Sequence, residues 1–263
     1  MSDAAALFGD GKAYERMMGR WSRLVGDVFL DWLALPKNLR WLDVGCGNGA
    51  FTEALIAHAA PAEVIGVDPS EGQLAYARTR PGAKLAQFRE AGAQDLPFAD
   101  NSFDVAIMAL VIAFVPDPLK AAGEMKRIVR PGGCVATYMW DIPGGGLPGE
   151  PIHRAMHTMG MELPLPPQSD ASQQDKMRAV WERAGLASVE TRVIRIRVSF
   201  TDFDDFWNSM SAPVGPAGQA ISKLSPAVTD ELKTLLRQQL PQAQDGTISY
   251  QAFANAVKGQ VQA

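Results

Sequence analysis

Three glycines at alternate positions, Gly45, Gly47 and Gly49, follow an acid in the run Leu42-Asp43-Val44-Gly45-Cys46-Gly47-Asn48-Gly49. Glycine at a turn removes the Cβ and lets a ligand lie against bare backbone. A second acid, Asp68, ends the next apolar run, Val64-Ile65-Gly66-Val67. An acid at that place can accept both hydroxyls of a ribose. Three ligands compete for such a turn. A dinucleotide wants G-x-G-x-x-G, but the order here is G-x-G-x-G, with Phe51 where the close-packing residue should fall. A P-loop needs a phosphate-gripping lysine, and none follows. S-adenosylmethionine has no phosphates; it needs backbone approach to its methionine part and an acid for its ribose. Asp43 suits the amino-acid end, directly or through water, and Asp68 suits the ribose.

The elements that must hold these residues follow from periodicity. Leu42 and Val44 read as a buried strand, the glycines as the turn after it, and Phe51 to Ile56 as the start of a helix. Glu63–Asp68 reads as a second strand, Glu71 to Arg80 as a helix ended by Pro81-Gly82, Lys84 to Glu90 as a third strand and Phe103 to Met108 as a fourth. Asp117 to Val129 is helical, with Asp117 and Pro118 as cap and first-turn residues. Pro131-Gly132-Gly133 reads as a turn into a fifth strand, Cys134 to Trp140. Apolar strands separated by helices of this length mean βαβ units and a parallel sheet. Ahead of them, Ala13 to Ser22 and Val25 to Leu35 read as two helical segments, the second stopped by Pro36. After Trp140 the pattern breaks. Helices are expected over Ile152 to Met161, Ala171 to Ala184 and most of 202–240, and strands over Val189 to Phe200 and roughly Thr247 to Val257. We read one domain: a helical cap (1–38), a cofactor-binding core (39–140), lid insertions covering the sheet edge (141–185 and 202–240) and two closing strands (186–201 and 246–258).

The 263 residues carry 25 basic and 29 acidic side chains, a formal charge of -4. That balance argues against a surface that tracks nucleic-acid phosphates. No apolar run approaches the ~20 residues a membrane span needs. The N-terminal stretch has no basic segment followed by an apolar one, so no secretory signal is expected. With two cysteines, Cys46 and Cys134, a disulfide framework is not in play and a reducing, cytoplasmic setting is the default.

Four segments together resemble the class I S-adenosylmethionine-dependent methyltransferases: Leu42 to Gly49, Val64 to Ser70, Ala93-Gln94-Asp95-Leu96-Pro97-Phe98 with Phe103-Asp104, and Leu119 to Gly133 ending Val129-Arg130-Pro131-Gly132-Gly133. Within them the chain is similar to the branch that includes the quinone-biosynthesis methylases. The resemblance covers about residues 38–140. It implies an α/β, Rossmann-like, seven-stranded and mostly parallel sheet with helices on both faces and one antiparallel strand, which suits the final strand. It implies Gly45 and Gly47, with the backbone of Cys46, on the methionine part of the cofactor, and Asp68, followed by Pro69, on the ribose. Ala93 and Gln94 would flank the adenine, and Met108-Ala109 would lie beside the sulfonium. Gly92 stands where relatives often carry an acid. Ala113-Phe114 replaces a frequent His pair, which weighs against a polar acceptor.

Other residues have competing readings. Tyr14, Arg20 and Trp21 belong either to a lid over the cofactor or to an ordinary packed helix. Tyr138 and Trp140 line either an acceptor pocket or the core. Asp141, at the ligand-bearing end of the fifth strand, is the nearest candidate for a catalytic base. His153 and His157 share a helix face, yet no H-E-x-x-H glutamate or third ligand accompanies them, so no metal is expected. Met156, Met159 and Met161 read as core filling, and Trp207 as core between lid helices. The reading that follows is a methyltransferase using S-adenosylmethionine, with S-adenosylhomocysteine as product, acting on a small, partly apolar molecule. Nucleic acid is not expected as a partner. The alternative is a methyltransferase-like domain that serves in assembly or regulation without catalysis.

Overall fold

A computed structural model describes residues 19–213 and 215–262. The expected segment 13–22 falls mostly outside these residues, Tyr14 with it. Its described end is not a separate piece: α1 runs unbroken over Arg20–Leu33 and stops at Ala34, whose φ is +51°, two residues before Pro36. One face of α1 is apolar and buries Trp21, Val25, Phe29 and Leu33, the i, i+4 spacing of a helix lying on a sheet.

Seven strands form one sheet in the order β3-β2-β1-β4-β5-β7-β6. They are β1 (Arg40–Val44), β2 (Glu63–Asp68), β3 (Ala86–Glu90), β4 (Phe103–Ala109), β5 (Val129–Trp140), β6 (Ala187–Phe200) and β7 (Ile248–Gln260). The first five pair in parallel, and β7 runs antiparallel to both β5 and β6. In β1, between β2 and β4, Trp41 to Val44 are all buried. A near-continuous apolar strand is what a parallel sheet covered on both faces requires. Successive residues serve opposite cores: Trp41 faces α1 and α2 (Ala50–Ala59), while Leu42 faces the side covered by α4 (Pro118–Ile128) and α6 (Gln174–Arg183). The helix between β2 and β3 is α3 (Glu71–Ala77), shorter than the pattern suggested. Asp117 caps α4 as expected, accepting the Lys120 N–H at 3.0 Å.

Two sequence expectations change. Pro131-Gly132-Gly133 is not a turn ahead of β5 but lies inside it. The strand starts at Val129 and takes a register break against β4, which Gly132 permits with φ +79°. In the first insertion, α6 is not edge cover. It packs on β6, β7 and α4 as a crossover helix, and Trp181 donates its indole N–H to the Val135 carbonyl at 2.9 Å.

The remaining insertion elements stand at the C-terminal edge of the sheet. They are α5 (Glu150–Thr158), α7 (Phe203–Met210), α8 (Gly215–Ile221) and α9 (Pro226–Gln239). Ile194 and Trp140 both pair with Ala254, and β6 and β7 then continue together to Phe200↔Ile248. At ~3.3 Å per residue this ribbon rises about 20 Å past the end of β5. α7 to α9 connect its two strands, and α9 packs on α5. The segment before α6 reaches across to the turn after β4: Gln168 donates its N–H to Ala113 O at 3.0 Å and its Nε2 to Pro116 O at 3.2 Å.

Candidate functional site

The glycine turn hooks onto the end of β2: Gly45 and Cys46 both donate their N–H to the Val67 carbonyl, at 2.7 and 3.0 Å. All three glycines have left-handed backbones, with φ of +73°, +50° and +78°, a conformation that favours glycine. Their surroundings differ. A Cβ on Gly45 would stand 2.7 Å from both γ-methyls of Val111, and one on Gly49 would stand 2.9 Å from Ala77 Cβ. A Cβ on Gly47 would meet no atom of the described residues within 4 Å. Gly45 and Gly49 are therefore packing glycines, and Gly47 is the one that presents bare backbone to open space.

Asp68 reaches back onto that same glycine. Its Oδ2 accepts the Gly47 N–H at 3.0 Å, and its Oδ1 accepts the Ser70 N–H at 2.9 Å. Burial raises its pKa, and these two backbone donors oppose the shift. Each oxygen keeps acceptor capacity for a further donor. Asp43 is fully buried beneath the turn. Its Oδ2 accepts the Thr52 hydroxyl at 2.6 Å, while Oδ1 has no partner among the described residues. Burial pushes its pKa up to about 7; the Thr52 hydrogen bond lowers it and the charge of Asp68 raises it further. A buried carboxylate with an open oxygen is a costly arrangement that a cationic ligand group would relieve.

Cys46 is buried, with its sulfur against Gly66. Burial and the nearby carboxylates push its thiol pKa far upward, so it is no nucleophile. Pro69 is exposed at the end of β2, and Ala93 and Gln94 sit half-buried in the loop between β3 and β4. That loop starts beside Asp68, where Ala91 donates its N–H to the Asp68 carbonyl at 3.2 Å. At the end of β4 the Met108 side chain is wholly buried in the far-face core, leaving only its backbone for a ligand. Ala109 is partly exposed, and Leu110 follows it with φ +60°, held by its N–H to the Tyr138 carbonyl at 2.9 Å. A left-handed leucine is a strained position. It turns the chain so that Val111 covers Gly45.

The remaining candidates separate. Tyr138 is core, its ring 4.6 Å from Phe29 and 5.8 Å from Phe51 between centroids. Trp140 is also buried, and its indole N–H has no partner among the described residues. Asp141 is occupied: Oδ1 accepts the Gly144 N–H and Oδ2 accepts Asn255 Nδ2, both at 2.9 Å. Arg20 lies away at the ribbon tip, its guanidinium 4.0 Å from the Trp21 ring centre and 4.8 Å from that of Phe200. His157 pairs with the exposed Glu162 at 2.9 Å, and burial lowers the pKa of His153. Among the described residues no three His, Cys, Asp or Glu side chains stand where they could hold a metal ion. Met156 is buried, Met159 and Met161 pack on the same core, and Trp207 lies under Lys233.

Residues that spacing did not point to also build the site. Val111 covers the turn. Arg80, which is buried, donates Nε to the Asn48 carbonyl at 2.7 Å and Nη1 to Glu53 at 2.8 Å, fixing the back of the glycine turn to α2. An invariant signal for such partners is missing from a single sequence, because each lies about 30 or more residues from what it holds.

Residues 42–137 match the family model described as a methyltransferase domain. Over that span the chain is similar to methyltransferase domains. It is 36% identical over 122 residues to an uncharacterized protein of Mycobacterium tuberculosis, covering 46% of this chain and 44% of that one. It is 32% identical over 136 residues to a demethylmenaquinone methyltransferase of Staphylococcus aureus, covering 51% and 54%. The chain thus spans about half the length of these curated relatives. The fold is shared more widely. The crystal structure of the YcgJ protein from Bacillus subtilis superposes with a TM-score of 0.60 at 19% identity, covering 91% of this chain and 98% of that one. A phosphoethanolamine N-methyltransferase of Haemonchus contortus, solved with S-adenosylhomocysteine, superposes with a TM-score of 0.57 at 18% identity, covering 95% and 56%. The matched span therefore sits in a sheet of the same architecture and ends inside β5.

Proposed function

We propose that this chain transfers the methyl group of S-adenosylmethionine to a small, partly apolar acceptor. The observation that carries the reading is the pairing at the ends of β1 and β2: Gly47 presents bare backbone to open space, and the Asp68 carboxylate is fixed on its N–H. The residues fit the cofactor by their chemistry. Asp68 can accept the ribose hydroxyls, and the open oxygen of Asp43 suits the ammonium of the amino-acid part. The Ala93–Gln94 stretch would flank the adenine, with Ala109 at the reacting end.

Bound there, S-adenosylmethionine supplies an activated methyl on a sulfonium and leaves as neutral S-adenosylhomocysteine. The chain's own work is orientation and exclusion of water, which can account for much of such a rate enhancement. Val111 and Leu110 give the turn after β4 an apolar surface, and Phe114 extends it. The insertions, anchored to that turn by Gln168, form the lid over the acceptor. Each Asp141 oxygen already accepts one structural hydrogen bond, so this reading gives it no catalytic role and favours an acceptor atom that needs no strong base. The acidic chain disfavours nucleic acid. No described helix is long and apolar enough to cross a membrane, and a cytoplasmic setting fits the two free, buried cysteines. The test is transfer of labelled methyl from S-adenosylmethionine to a panel of small phenols, amines and quinols. Product on at least one of them is expected. Tight S-adenosylhomocysteine binding with no transfer to any of them would favour the non-catalytic alternative.

A further inference from the structure

The loop between β3 and β4, residues 91–102, has little structure of its own. Within it, Asp95 N–H bonds Gly92 O at 3.3 Å and Phe98 N–H bonds Leu96 O at 2.8 Å. Its near end is tied to Asp68 through Ala91. Its far end is tied to α4 by the Asn101 N–H on the Arg127 carbonyl at 3.1 Å and by one ion pair. Glu124 accepts the Leu96 N–H on Oε2 at 3.0 Å. Arg127 donates Nη2 to the Leu96 carbonyl at 2.9 Å, and Nη1 to the Phe98 carbonyl and to Asp100, each at 2.8 Å. Glu124 grips the guanidinium in turn, by Nε to Oε1 and Nη2 to Oε2, both at 2.8 Å. Both backbone groups of Leu96 are therefore held by the same pair, two residues beyond Gln94.

A half-exposed ion pair contributes little to stability. The geometry here is more specific than that. The planar fork of arginine, held bidentate by a carboxylate, aims its remaining donors in fixed directions, and these meet backbone carbonyls of the loop. We infer that the Arg127–Glu124 pair is a positioning device for the nucleoside half of the methyl donor: it fixes Leu96, and through it the Ala93–Gln94 stretch, where the adenine binds. This rests on the proposed use of S-adenosylmethionine.

The test compares S-adenosylhomocysteine with 5′-methylthioadenosine, which keeps the nucleoside and lacks the amino-acid end. Binding of both to the wild-type protein is measured first by calorimetry. Arg127→Gln is expected to weaken both ligands by the same factor, on the order of tenfold for lost charge-assisted hydrogen bonds. Arg127→Lys should not restore them, because an ammonium cannot reproduce the fork. Amide exchange over residues 93–98 should quicken in Arg127→Gln and stay unchanged in β1. Unchanged affinities, or a loss confined to S-adenosylhomocysteine, would overturn the inference. If Arg127→Gln does not fold, Glu124→Gln decides by the same equal-loss criterion. Wild-type protein that binds neither ligand sinks the donor reading and the inference with it; wild-type binding with variants that match it sinks the inference alone.

Discussion

Asp43→Asn isolates the most unusual group in the site. Asp43 carries a pKa of about 7 against an ordinary 3.8, so folding favours its protonated form. Below pH 4 both states are protonated and the residue costs nothing. As pH rises toward 7 the unfolded chain ionises while the folded one resists. Wild-type stability is thus lost at about 1.4 kcal/mol per pH unit, reaching about 4 kcal/mol above pH 7. Asparagine keeps an oxygen for the Thr52 hydroxyl and cannot titrate. Urea unfolding of both proteins at pH 5, 6, 7 and 8 should show the difference between them moving by about 2–3 kcal/mol in favour of the variant. Parallel profiles would refute the burial argument. Ligand binding carries the opposite demand. A cationic ammonium needs Asp43 ionised, so wild-type affinity for S-adenosylhomocysteine should fall by up to about tenfold per unit below pH 7, and the variant's affinity should be lower and flat.

Gly45→Ala and Gly47→Ala should separate packing from binding. The first meets Val111 and should cost about 2–3 kcal/mol of stability by thermal or urea unfolding; the second meets nothing, so it should cost only the left-handed penalty of about 1 kcal/mol while weakening cofactor binding sharply. Asp68→Asn can accept from only one of Gly47 and Ser70 and loses its charge; calorimetry should show S-adenosylhomocysteine bound roughly tenfold to a hundredfold more weakly, and unchanged affinity would remove the ribose role. Asp141→Asn loses one of two structural hydrogen bonds, so unfolding should register about 1 kcal/mol while the methyl-transfer rate stays within about twofold; a collapse of rate with stability intact would restore Asp141 as a base.

The sheet was legible because its signals are local. Buried strands, Gly at left-handed positions and an acid at a strand end follow from a few adjacent residues, and the structure joins these strands in one sheet. The division of labour among the glycines was not legible. It depends on Val111 and Ala77, distant in sequence, that crowd Gly45 and Gly49 and leave Gly47 open. Asp141 looked free for the same reason, since Asn255, 114 residues away, is what occupies it. Met108 stands at the right strand end, but strand alternation turns its side chain to the far face. Pro131-Gly132-Gly133 has turn composition and pairs with no residue of β4, yet its bonds to Val261, just past β7, keep it in the sheet. Trp181 marks α6 as a crossover helix only once its bond to Val135 is seen.

The central claim is that the Gly47–Asp68 edge binds S-adenosylmethionine. Calorimetric titration of the wild-type protein with S-adenosylhomocysteine, with NAD as the control, tests it most directly. Saturable one-to-one binding of S-adenosylhomocysteine and no heat with NAD is the predicted result; no binding of S-adenosylhomocysteine, or binding of NAD in its place, would contradict it.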